Sequence, residues 1–226
     1  MPYKGIVFDF NGVLLFDSEW HEESWIALSE RLHGTPLTRE EMERSTHGRS
    51  SLETFAYILG RPVREDELLE LIQQKEQPYR AIALSKGEEF TLSPGAIPFL
   101  DFLVERKIPH NIATASEISN LNFFRENLHL DHWFDPTLTI YDDGKIPSKP
   151  DPTIYILACE KLGLDPKECI VVEDSRSGLE SARRAGVGMI VAIGPKDKHA
   201  ELSALPGVGQ TITTFEDFDR SLFGAI

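Results

Sequence analysis

The chain has 226 residues, enough for one core carrying an inserted subdomain and too few for a long solenoid or multidomain assembly. With 41% hydrophobic and 27% charged residues it can bury a sizeable core, which excludes a disordered chain. Lys and Arg number 23 against 37 Asp and Glu, and the resulting net charge of -14 repels phosphate backbones and anionic lipid, so neither nucleic acid nor membrane is an expected partner.

Gly5 to Phe10 is a β-branched and aromatic run closed by Asn11-Gly12, which predicts a buried strand ending in a tight turn with Asp9 near its end. This apolar stretch meets Asp9 almost at once and is too short for a secretory leader or a membrane span. From Asp17 to about Phe90 strand signals vanish and four helical patterns replace them. His21, Trp25, Leu28 and Leu32 share one face; Thr38 and Glu41 have capping-box spacing; Leu52, Phe55 and Leu59 recur; Asp66 to Ala83 is long and amphipathic. Ser93-Pro94-Gly95 is the turn that ends this insertion.

Further strands are predicted at Pro109 to Ala115, Cys169 to Val172 and Met189 to Ile193. Asp151-Pro152 supplies an N-cap and first-turn proline for a helix reaching Gly163, and a second helix runs from about Ser177 to Ala185 with Gly186 as its left-handed stop. Strands alternating with helices predict an α/β fold, a Rossmann-like parallel sheet core with an inserted all-helical cap. The expected division is core 1–16 and 91–226, cap 17–90. Only Cys159 and Cys169 occur, too few for a disulfide framework or a Cys-rich zinc site, and reduced thiols suit a cytoplasmic protein. Nothing in the sequence signals an oligomeric state.

Ligands of open parallel sheets bind beyond the carboxyl ends of the strands. The residues there are Asp9-Phe10-Asn11-Gly12, Thr114-Ala115-Ser116, Ser148-Lys149-Pro150 and Glu173-Asp174-Ser175, which together supply carboxylates, hydroxyls and one ammonium. Taken singly, each is an ordinary N-cap or a solvated lysine. In this order, with a helical insertion after the first, the chain resembles the haloacid dehalogenase superfamily over nearly its whole length.

The resemblance implies that Asp9 is a nucleophile, that Gly12, Thr114, Ala115, Ser116 and Lys149 bind a phosphoryl group, and that Mg2+ is held by Asp9, the main-chain carbonyl of Asn11, Glu173 and Asp174. Such chemistry is physically coherent. Magnesium takes one or two carboxylates and leaves positions for water and phosphate oxygen. Donors around the phosphoryl oxygens stabilise charge as it spreads in the transition state. The Glu173-Asp174 pair argues against the cation-independent dehalogenases. Ser51, three residues after Gly48, removes the Schiff-base lysine of the phosphonatases.

Within the superfamily the pattern is similar to the helical-cap group that includes beta-phosphoglucomutase and sugar-phosphate phosphatases. His21, Trp25, Gly48, Arg49 and Lys75 are the cap residues expected to meet the substrate, a small phosphorylated metabolite. Alternatives remain for three of them: His21 as a packed histidine, Lys75 as a solvated lysine, Arg49 as a helix cap or the partner of a nearby glutamate. Arg49 follows Gly48 immediately, where a mutase has its arginine three residues on, and this favours a hydrolase over a phosphohexomutase.

One departure concerns catalysis directly. Family phosphatases carry aspartate two residues after the nucleophile as proton donor and acceptor, and this chain has Asn11 there. A positioned acid or base contributes ~10²–10⁴-fold, and an amide cannot supply it. The chain is then a phosphatase whose leaving group is protonated by another residue such as His21 or needs little protonation, or a phosphate-binding pseudoenzyme. Asn11→Asp alone is expected to restore the proton relay.

Overall fold

A computed structural model describes residues 2–46 and 49–224. It contains one six-stranded sheet in which every pairing is parallel. The strands are β1 (Gly5–Phe8), β2 (His110–Glu117), β3 (Ile140–Asp142), β4 (Cys169–Glu173), β5 (Met189–Ile193) and β6 (Val208–Ile212), in the order β3-β2-β1-β4-β5-β6. From β1 the chain builds outward to β2 and β3, then returns to the other side of β1 for β4. The topological switch point, where open α/β sheets bind ligands, therefore lies between β1 and β4.

Sheet faces follow from alternation along the central strands. Ile6, Phe8, Ile170 and Val172 pack on one face with Phe99, Phe124 and Phe215; Val7 and Val171 pack on the other with Tyr155, Ala158 and Cys159. Both faces are covered, which is why β1 and β4 are unbroken apolar runs. β1 stops at Phe8, two residues earlier than the sequence predicts, because Phe10 turns its carbonyl to the amides of Val13, Leu14 and Leu15. β2 runs two residues beyond the predicted Ala115. The sequence reading missed β3 and β6; both are edge strands, one only three residues long and the other interrupted by Gly209, so neither carries a long apolar signal.

Between β1 and the Ser93 turn lie α1 (Ser18–His33), α2 (Arg39–Ser45), α3 (Ser51–Leu59) and α4 (Glu65–Ser85). They form the helical cap and enclose a small core of their own: Trp25, Leu28, Met42, Phe55, Ile58 and Leu71. The Thr38–Glu41 capping box is present. Leu52, expected on the apolar face of α3, is 38% exposed, and Ile58 packs inward with Phe55. α4 continues through Pro78. The returning chain is tied to the outgoing one where the Ser93 amide donates to Leu14 O at 2.8 Å and its hydroxyl to Val13 O at 2.8 Å.

The remaining helices are α5 (Ala96–Glu105), α6 (Ile118–Leu128), α7 (Thr153–Lys161), α8 (Arg176–Ala185) and α9 (His199–Ser203). α7 starts one residue later than predicted, with Pro152 in the cap position, while Asp151 accepts the Thr153 amide at 2.9 Å. α8 starts after the Ser175 cap and ends at Gly186 in the left-handed region, as its sequence indicates. Cys159 and Cys169 are both unpaired and buried. Among the described residues no helix is long and apolar enough to cross a membrane.

Candidate active site

Phe8 pairs in register with Val172, so Asp9 and Glu173 emerge side by side at the switch point, and the Asp9 amide donates to Val172 O at 3.0 Å. One carboxylate oxygen from each of Asp9, Glu173 and Asp174 lies within 4.8 Å of the others. The loop before α7 delivers Lys149, 2% exposed, whose Nζ lies 2.8 Å from Asp9 Oδ1 and 2.6 Å from Glu173 Oε1. Burial pushes the Asp9 carboxyl up to about 7; Lys149 opposes that shift and Glu173 adds to it. Burial, then the charges of Glu173 and Asp9, raise Asp174 as well. Burial works against the Lys149 charge too, but Asp9 and Glu173 outweigh it and lift the ammonium above its ordinary value.

The two acidic neighbours on β4 have different surroundings. Glu173 is completely buried; Oε1 accepts from Lys149 and from the Tyr155 hydroxyl at 3.0 Å, and Oε2 from the Ser175 amide at 2.7 Å and its hydroxyl at 3.0 Å. Gly178 makes room for it, since a Cβ there would collide with Oε1. Asp174 sits against Gly12 at the cavity wall.

Carboxylates in one cluster, with burial holding two of them at raised pKa, form a donor set suited to a hard divalent cation, which would relieve their mutual repulsion. Gly12 has φ +80°, and a Cβ on it would collide with Asp174 Oδ2. Gly12→Ala is therefore expected to displace Asp174 and weaken magnesium binding by ~10–100-fold, read from the rise in thermal midpoint on adding Mg2+. An unchanged magnesium response would place the cation elsewhere.

A cavity of about 1000 Å³ opens over these groups, floored by Asp9, Asn11, Gly12 and Asp174 and flanked by Thr114, Ala115 and Ser116 from β2. Thr114 Oγ1 accepts the Ser116 amide at 3.1 Å, and Ser116 Oγ donates to Asn11 Oδ1 at 2.8 Å. From the cap, His21, Trp25, Arg49 and Lys75 reach the same cavity. Gly48 lies outside the described residues.

Lys75 departs from its solvated alternative, whereas His21 packs and Arg49 approaches a glutamate, as their alternatives anticipate. Lys75 is 3% exposed; its Nζ lies 2.6 Å from His21 Nδ1 and 2.9 Å from Glu76 Oε1, above the rings of Trp25 and Tyr79. His21 stacks on Tyr79 with ring centroids 3.9 Å apart. Arg49 docks the cap on the core, its Nη1 donating to Lys149 O at 3.1 Å, and it also lies 3.6 Å from Glu53. Next to it the Ser50 amide donates to Ser148 Oγ at 3.1 Å.

Asp17, Glu76 and Tyr155 belong to this machinery and were not among the expected site residues. An aspartate just before a helix reads as an N-cap, yet the Asp17 side chain caps nothing in α1. It is fully buried and faces Asn11, His21 and Tyr79. Burial opposes its charge, but His21, Tyr79 and Asn11 hold its pKa below the ordinary carboxylate value. Tyr155 is a core tyrosine by pattern, and only the fold brings its hydroxyl to Glu173.

The chain and its fold have counterparts among known proteins. The chain is 28% identical over 199 residues to a phosphorylated carbohydrates phosphatase of Thermotoga maritima, covering 84% of this chain and 85% of that one. It is 28% identical over 197 residues to hexitol phosphatase A of Escherichia coli, with 87% and 86% covered. A solved structure of a HAD hydrolase, family IA, variant 3, from Entamoeba histolytica superposes with a TM-score of 0.85 at 33% identity, covering 97% of each chain. The family model of the haloacid dehalogenase-like hydrolases matches residues 3–186, from the strand that carries Asp9 through the helix that packs on Glu173, and the chain belongs to that family.

Proposed function

We propose that this hydrolase is a magnesium-dependent phosphatase that takes the phosphoryl group of a small phosphorylated metabolite, a sugar or polyol phosphate, onto Asp9 and then passes it to water. The observation that carries this reading is the Asp9 carboxylate at the cavity floor, within hydrogen-bond reach of Lys149 and grouped with Asp174. The likeness to a phosphorylated carbohydrates phosphatase and to hexitol phosphatase A supports the substrate class. We take 17–90 as the cap and 1–16 with 91–226 as the core, and the unpaired thiols suit a cytoplasmic enzyme.

Asp9, Asp174 and the Asn11 main-chain carbonyl would hold Mg2+, with Glu173 completing the acidic cluster. When bound, the ion supplies positive charge that keeps Asp9 and the phosphate from repelling each other. Lys149 holds Asp9 by one oxygen, orients it, and presents a fixed charge to the phosphoryl group. The Thr114 hydroxyl would donate to an equatorial oxygen where charge develops, while Ser116 holds Asn11 and Gly12 keeps the loop close beside it. Asp9 attacks phosphorus as the bond to the ester oxygen breaks, that oxygen takes its proton from water in the cavity, and a second water attacks the aspartyl-phosphate, giving its proton to solvent and freeing Asp9 and phosphate. His21, Trp25 and Lys75 face the rest of the substrate while the cap limits water at the site. Engagement of Arg49 with the Lys149 carbonyl and Glu53 favours hydrolysis over a mutase, which needs a cap cation for a second phosphate.

Phosphate release from a panel of sugar and polyol phosphates tests the reading. Release with magnesium and its loss in excess chelator are expected. Undiminished turnover in chelator would return the cation-independent branch of the family. Binding of inorganic phosphate with no release from any ester would make the protein a phosphate-binding pseudoenzyme.

A further inference from the structure

Every group around the buried Asp17 carboxylate is a hydrogen-bond donor. Oδ2 accepts from Asn11 Nδ2 at 2.7 Å and from the Tyr79 hydroxyl, and lies 3.2 Å from His21 Nε2; Oδ1 accepts the Gly12 amide at 3.3 Å. Lys75 at His21 Nδ1 leaves the imidazole proton on Nε2, facing Asp17. Asn11 is held at both ends, its NH2 on Asp17 and its Oδ1 on Ser116 Oγ. An aspartate in place of Asn11 would replace the donating NH2 by a second carboxylate oxygen 2.7 Å from the buried Asp17, leaving the single His21 Nε2–H, 3.2 Å from Asp17 and 3.1 Å from position 11, to serve both charges.

We propose that Asp17 and Asn11 are a matched pair: the carboxylate of this part of the site stands at 17, and its presence requires an amide at 11. Asp17 is a positioning residue. It sits where the chain leaves the core for α1, takes hydrogen bonds from core and cap together, and through Asn11 and Gly12 sets the loop that faces Asp9 and Asp174. It thereby ties cap placement to the geometry of the phosphoryl site. The role in turnover rests on the phosphatase reading; the pairing itself does not.

Asn11→Asp alone will not restore a proton relay, because it breaks the pair. Exchanging both residues, Asn11→Asp with Asp17→Asn, rebuilds the pair in reverse. The amide introduced at 17 then donates to the carboxylate introduced at 11. His21 Nε2, which lies 3.1 Å from Asn11 Nδ2 in the native protein, donates to that carboxylate as well.

The test compares native protein, both single variants and the double variant by thermal midpoint and by kcat and KM on an alkyl phosphate with magnesium. Each single variant is expected to melt several degrees lower and the double within about 2 °C of native, a non-additive result. Only the double should raise kcat, by roughly 10²-fold, with KM changed by no more than a few-fold. Additive midpoints, or Asn11→Asp alone matching the double in kcat, would overturn the proposal. A double variant that recovers stability without any gain in kcat over an active native enzyme would also overturn it, by reducing Asp17 to a structural residue. Non-additive midpoints with no phosphate release from any of the four proteins would uphold the pairing and sink the phosphatase reading instead.

Discussion

Replacing Asp9 by asparagine is expected to cut phosphate release by ~10⁴-fold or more, the scale on which removal of a nucleophile acts in other covalent mechanisms. The native protein mixed with an activated phosphate ester and magnesium should gain the mass of one phosphoryl group, and Asp9→Asn should not. The same substitution has an opposite effect on stability. Asp9 has its folded-state pKa raised to about 7 by burial, so its contribution to stability is complete below the ordinary carboxylate pKa near 4 and is lost as pH rises through 7. A neutral asparagine carries no such loss. In chelator, the midpoint of Asp9→Asn minus that of the native protein should therefore grow from pH 5 to pH 8. A difference that stays flat over that range would mean Asp9 does not carry a buried charge in the cation-free protein.

Lys149→Met should show the second large effect. The ammonium is the cation between two buried carboxylates, and removing one partner of such a pair costs ~3–5 kcal/mol because the remaining charges are left without compensation. For a chain of this length each kcal/mol moves the midpoint by ~2–4 °C, so a drop of roughly 6–20 °C is expected, measured in chelator, together with loss of phosphate release. Adding Glu173→Gln removes one uncompensated charge and should recover part of the midpoint without recovering activity. A single variant that melts like the native protein would show that Lys149 does not neutralise the cluster.

The Gly12 variant acts on this same cluster, but at its edge. Gly12 gives Asp174 its place, and Arg49 joins the cap to the Lys149 backbone. This cap–core contact is also the reason a reading of Arg49 as a substrate-binding residue is incomplete. Its guanidinium donates one hydrogen bond to the core and lies 3.6 Å from Glu53, so Arg49 joins cap to core as well as lining the cavity.

Asp9, Thr114, Lys149, Glu173 and Asp174 stand out in the sequence by their order at the ends of apolar runs and by the family resemblance that order carries, since each taken singly is an ordinary cap or a solvated lysine. A buried parallel strand must be apolar throughout, so the first polar residue after it is marked by contrast. Caps and glycine stops are equally local, which is why α8 and the Thr38–Glu41 box appear where the sequence places them. Edge strands β3 and β6 lack that contrast, being short or glycine-containing and paired on one side only.

What the sequence by itself determined is the fold class, the helical insertion and the residues at the carboxyl ends of the central strands, all set by hydrophobic period and turn chemistry within a few residues. Only the tertiary structure decided how polar groups far apart in the chain satisfy one another. Lys75 reads as solvated on a charged helix, and the fold buries it between His21, Glu76 and two aromatic rings. Asp17 marks in the sequence only where the helical stretch begins, and the fold turns it to the amide of Asn11 and the hydroxyl of Tyr79, sixty-two residues further along the chain. A buried charge must find its donors wherever packing brings them, and no local sequence pattern records which ones those are.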